Sequence, residues 1–150
     1  MVTQIHQPST VTPAAHPPRP TLLADVPALT RALAAPAGAP SWREQLLTRL
    51  GPLRRGFAEH IEVTEGPAGL YAELIAHAPR LDRGVRLLTG EHVGIADALA
   101  ALQGAAERPG VPAEEVRLRA AYLFELLSRH RQRGADLLWQ AYETDLGGET

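Results

Sequence analysis

Along most of this chain, apolar residues recur at alternating intervals of three and four. From residue 81 the run reads Leu81, Val85, Leu88, His92, Ile95, Leu99 and Leu102 without a miss. A helix turns once in about 3.6 residues, so this spacing lines one face and predicts a helix with a single buried seam. Gly104 and the Pro-containing stretch 108–112 predict the loop that follows. A second run, Ala120, Leu123, Leu127, His130, Gly134 and Leu137, predicts a helix from residue 113 to near residue 142, with Gly147 and Gly148 as a stop signal.

The first half of the chain is more broken. Asp25 followed by Pro27 reads as an N-cap and first turn, and Val26, Leu29 and Leu33 form the stripe of a first helix that ends in the APAGA stretch 35–39. A second helix opens at Ser41 and runs to Thr64 through Leu50, Leu53, Phe57 and His60. Pro52, behind Gly51, predicts a break or kink in it, because a proline ring collides with the carbonyl four residues back. Gly66 and Pro67 interrupt again before a helical piece through Leu70, Leu74 and His77, which Pro79 closes. No strand pattern competes. Segments of this length with short connections predict an all-α fold, an up-down antiparallel four-helix bundle over residues 22–146. Residues 1–21 contain Pro8, Pro13, Pro17, Pro18 and Pro20 and few large apolar side chains, which predicts a flexible tail. His6 and His16 fall in that tail and read as exposed bystanders.

Composition narrows the picture. The 150 residues suffice for one domain with a core. With 45% apolar but only 5% aromatic residues, the core suits closely packed helices better than a sandwich. A net charge of −2 gives no basic face for nucleic acid. All fifteen basic residues are arginines; Arg129, Arg131 and Arg133 lie near Glu125 and Asp136 and read as a solvated helix face. The absence of cysteine excludes thiolate metal sites, iron–sulfur clusters, disulfides and a cysteine nucleophile. Neither a basic-then-apolar leader nor an apolar run of about eighteen residues occurs, so the expectation is a cytoplasmic protein without a membrane partner. Serine-nucleophile motifs, phosphate-binding glycine loops and paired catalytic carboxylates are also missing, so an enzyme outside metal chemistry finds no support. Trp42, Trp139 and Tyr142 suit either an interface at one end or ordinary core edges.

The chemistry lies in three substitutions within the apolar stripes. His60, His92 and His130 each take the place of an aliphatic residue, on three different helices. Each is thereby aimed at the interior, where an unpaired ring nitrogen costs roughly 1–3 kcal/mol. Three imidazoles converging in a helical core suit iron, zinc, copper or manganese.

The stretches FAEHIEVTEGPAGLYAEL around His60, LLTGEHVGIADALAAL around His92 and LLSRHRQRGADLLWQAY around His130 make the chain resemble the hemerythrin-like family. The Glu91–His92 pair in register with the seam is the most specific element. The resemblance implies a bundle holding non-haem iron between histidines and carboxylates. It departs from the family in three places. Residues 22–36 contain no histidine, Thr64 stands four residues after His60 where a carboxylate is expected, and Gly134 stands four after His130. Glu65 is one residue further on, about 100° round an ideal helix; the Gly66–Pro67 break offers a way to turn it inward. Glu73, Glu91 and His77 are the remaining neighbours able to complete a ligand set.

The expected site is therefore His60, His92 and His130 with Glu65 as the carboxylate, holding iron. Open coordination positions there would serve to bind, sense or reduce dioxygen, nitric oxide or peroxide. The alternative is a metal-free descendant, a scaffold or interaction module whose histidines bond to one another, to Thr64 or to buried water.

Overall fold

The structure, a computed structural model, describes residues 22–146. The proline-rich segment 1–21, with His6 and His16, and the Gly147–Gly148 stop signal lie outside them. The described chain is all-helical and contains no strand. Helix α1 spans Val26–Ala34, α2 Trp42–Glu65, α3 Leu70–His77, α4 Asp82–Glu107 and α5 Ala113–Leu146, with a 3₁₀ turn at Pro79–Leu81 leading into α4. None of the helices is long and apolar enough to cross a membrane.

The seam expected in α4 is buried at every position from Leu81 to Leu102, and the α5 stripe is buried except at half-exposed Gly134. Four expectations need correcting. Pro52 neither breaks nor ends its helix, since α2 runs through it. The missing proline N–H costs one hydrogen bond, whereas Leu46, Leu50, Leu53 and Phe57 are all buried by keeping the helix continuous. Gly104 does not end α4, which continues to Glu107 and buries Ala105 and Ala106. Asp25 stands at the start of α1 but its side chain makes no capping bond. Residues 139 and 142 form no common apolar end with Trp42: Trp42 is buried, while Trp139 and Tyr142 are 66% and 63% exposed.

Two apolar clusters make up the core. The larger joins Leu29 of α1, Leu46 to Phe57 of α2, Ile95 to Leu102 of α4 and Val116 to Leu127 of α5. The smaller joins Tyr71 and Leu74 of α3, Val85 and Leu88 of α4, and Leu137 and Ala141 of α5. Going along α4 the smaller cluster comes first; along α5 the order is reversed. On both helices a histidine separates the two, His92 between Leu88 and Ile95, His130 between Leu127 and Leu137.

Arginine secures the connections. Arg43 donates to the carbonyls of Ala105 (2.9 Å), Arg108 (2.8 Å) and Val111, satisfying the end of α4 and the loop after it. Arg117 does the same for Leu33 (3.1 Å) and Ala35 (3.3 Å) at the end of α1, and lies over the Trp42 ring at 5.3 Å. At the turn after α2 the backbone folds back closely. A Cβ at Gly69 would stand 2.6 Å from the Thr64 carbonyl oxygen, so only glycine fits there. That turn starts α3 and brings Tyr71 over the histidines.

Candidate metal centre

His60, His92 and His130 converge. Their ligand atoms lie within 4.8 Å of one another, the group among the described residues best disposed to hold a metal ion. His60 Nε2 is 3.1 Å from His130 Nε2, and His92 Nε2 is also 3.1 Å from His130 Nε2. His92 and His130 are 2% and 3% exposed, while His60 is half-buried. Phe57 closes one side, its ring edge-on to His92 at 5.8 Å, and Tyr71 stacks on the other face of the cluster at 5.8 Å from the same ring.

The carboxylates stand behind the rings. Glu65 Oε2 accepts from His92 Nδ1 at 2.9 Å, and Glu91 Oε1 accepts from His130 Nδ1 at 3.3 Å. A carboxylate only accepts, so each Nδ1 carries the proton and each Nε2 is left with its lone pair. Glu65, expected as a ligand, is thus an orienting partner. As the last residue of α2 it does turn inward at the Gly66 break, but toward Nδ1 rather than into the space the three Nε2 atoms share. Glu91 points away from the seam of its own helix, as its position next to His92 requires, and this carries it across to α5. There its second oxygen also holds Arg133 at 3.2 Å.

The sequence did not single out this role for Glu91, nor Tyr71 at all. The Tyr71 hydroxyl lies 3.4 Å from His92 Nε2 and is buried. A signal was present: tyrosine in place of an aliphatic residue beside the Leu70–Leu74 stripe. Thr64 is buried, but its hydroxyl donates to the His60 carbonyl at 2.7 Å and not to an imidazole. His77 is exposed at the end of α3 and Glu73 is exposed too. Of the three arginines read as a solvated face, Arg129 pairs with Glu125 at 2.5 Å on the surface, whereas Arg133 belongs to the Glu91 support.

Burial and mutual proximity favour the neutral forms of His60 and His130. The His60 value is pushed down to about 4, first by burial and then by His130 and His92. His130 is lowered by burial and by His92, against the pull of Glu91. Burial raises the Tyr71 phenol to about 12, so it stays a donor.

The donor set fits a metal ion. With both Nδ1 atoms protonated, two Nε2 lone pairs 3.1 Å apart repel unless a metal ion or a further proton lies between them. Metal–imidazole bonds of about 2.0–2.1 Å let one ion bridge that gap. Carboxylates on the outer nitrogens are the usual way of fixing the tautomer and orientation of a ligating histidine. Thr64 and Gly134, one turn beyond His60 and His130, supply no further ligand. Instead they line a cavity of about 520 Å³ that reaches His60, His130 and Tyr71.

Comparison with protein-family models, with curated proteins and with solved structures finds no match.

Proposed function

We propose that this chain is a hemerythrin-like four-helix bundle that holds one transition-metal ion, iron, through Nε2 of His60, His92 and His130, and uses it to bind, sense or reduce a small oxidant. In this reading α1, α2, α4 and α5 are the four helices, and α3 is a short insertion that closes the site. The supporting observation is the 3.1 Å approach of His92 and His130 Nε2 while both Nδ1 atoms face carboxylates. One ion between the Nε2 atoms would satisfy both lone pairs at once, whereas a metal-free network needs an extra proton there.

Iron held by His60, His92 and His130 would supply redox chemistry toward dioxygen, nitric oxide or peroxide. Glu65 and Glu91 orient two of the rings and increase their basicity. Tyr71 offers a hydroxyl donor at the edge of the cluster. Phe57 packs edge-on against His92 and helps to bury it. With Glu65 behind His92, the ligand set is three nitrogens for a single ion, which does not match a centre of two irons with bridging carboxylates.

The second reading is a metal-free scaffold. Thr64 and Gly134 favour it, since neither supplies a ligand where the family resemblance expects one. In that case His60 Nε2–H donates to His130 Nε2, and Tyr71 donates to His92. Metal analysis of untagged protein, expressed with added iron and purified without chelator, separates the two. About one equivalent per chain supports the iron site. Protein that folds and holds none, even after anaerobic incubation with iron(II), overturns it in favour of the scaffold.

A further inference from the structure

The cavity beside the histidines is far larger than the oxidant of the proposed function requires. A diatomic molecule occupies about the volume of one water, roughly 30 Å³. The cavity measures about 520 Å³, within the range of roughly 300–1,000 Å³ typical of sites for organic ligands. Its inner wall is aliphatic, formed by Leu70, Leu74 and Leu88 with Leu137 and Leu138. At one end stand His60, His130 and the Tyr71 hydroxyl; Glu59 and Arg131, both exposed, stand where the wall reaches solvent and offset each other in charge.

Gly134 keeps this space open. It lies one turn beyond His130 inside α5, where alanine would be the better helix former. A Cβ built there meets nothing within 4 Å. Nothing in the packing therefore demands glycine, and its effect is to leave room.

Resting on the metal reading above, we propose that this cavity binds an apolar monocarboxylate of about ten carbons, its chain along the leucines and its carboxylate at the histidine end. The head suits that end in two ways. An ion held by His60, His92 and His130 with no carboxylate ligand would keep its positive charge for an anion, and the Tyr71 hydroxyl, 3.4 Å from His92 Nε2, is a further donor. The tail is matched by walls that offer a longer chain no hydrogen bond.

The test uses the full chain loaded with cobalt(II), whose visible spectrum reports coordination, and decanoate as the probe. Decanoate is expected to bind at one equivalent and change the cobalt spectrum. Decanol, with the same chain and no carboxylate, should leave the spectrum unchanged and bind at least about tenfold more weakly. Gly134→Leu should take up cobalt like the parent and lose decanoate affinity by at least about tenfold. Cobalt-loaded protein that binds no decanoate overturns the proposal, as does undiminished binding in a folded Gly134→Leu. A chain that takes up no cobalt overturns the metal reading instead. The cavity is then decided on metal-free protein: saturable decanoate binding that Gly134→Leu removes upholds it, and no binding overturns it.

Discussion

His92 and His130 face each other through their Nε2 atoms at 3.1 Å while each donates a hydrogen bond from Nδ1 to a glutamate on a neighbouring helix. The support runs in one direction, from α2 to α4 and from α4 to α5. Glu91, adjacent to His92 in sequence, supports His130, and Glu65 at the end of α2 supports His92.

His92→Leu removes one of the three imidazoles and should abolish metal uptake with helix content unchanged by circular dichroism. Without metal the substitution should be neutral or stabilising in urea, because an apolar residue replaces a buried polar group. Metal content equal to that of the parent would show that the ion binds elsewhere.

Glu65→Ala and Glu91→Ala should act more mildly. Losing an outer partner of a ligating histidine weakens metal binding by about 10–100-fold. Competition with a chelator of known affinity reads this directly. A complete loss in Glu65→Ala, equal to that in His92→Leu, would mean that Glu65 is itself a ligand.

Acid should destabilise the metal-free protein over a defined window. His60 titrates at about 4 in the folded chain against an ordinary 6.5, and His130 is lowered as well. Between those values the unfolded chain holds protons that the folded one does not, so unfolding is favoured as pH falls. This contribution to stability is complete above about 6.5 and is lost progressively toward about 4. Urea titrations at several pH values across that window check it, and a flat profile would contradict buried neutral imidazoles.

Two glycines should respond in opposite directions. Gly134→Ala adds a Cβ that meets nothing and should stabilise α5 by about 0.5–1 kcal/mol. Gly69→Ala drives a Cβ to 2.6 Å from the Thr64 carbonyl and 2.8 Å from that of Gly66, backbone atoms that cannot step aside. It should lower the melting temperature and loosen α3. Thermal melts of both variants distinguish a packing requirement from a space left open.

Much of this was legible in the sequence. The stripes of α2, α4 and α5 located the helices, and the replacement of aliphatic residues in those stripes located the three histidines, because an interior position is set by helical period alone. The roles of Glu65, Glu91 and Tyr71 were not legible. Each acts on a residue of another helix, and whether a side chain about 100° off its own seam meets water or a neighbour depends on how the helices are packed. Pro52 misled for a related reason. Its local penalty was read correctly, but the apolar contacts that outweigh it come from α1, α4 and α5.

The eight-residue α3 carries a consequence for access. A helix of that length is not stable alone in water and borrows its order from the Tyr71 and Leu74 contacts beneath it. Those contacts belong to the smaller of the two clusters. Its amides should therefore exchange with solvent through local opening, well below the free energy of global unfolding, while α4 remains protected. The same opening lifts Tyr71 from the imidazoles and gives an ion or ligand a route inward that leaves the larger cluster intact.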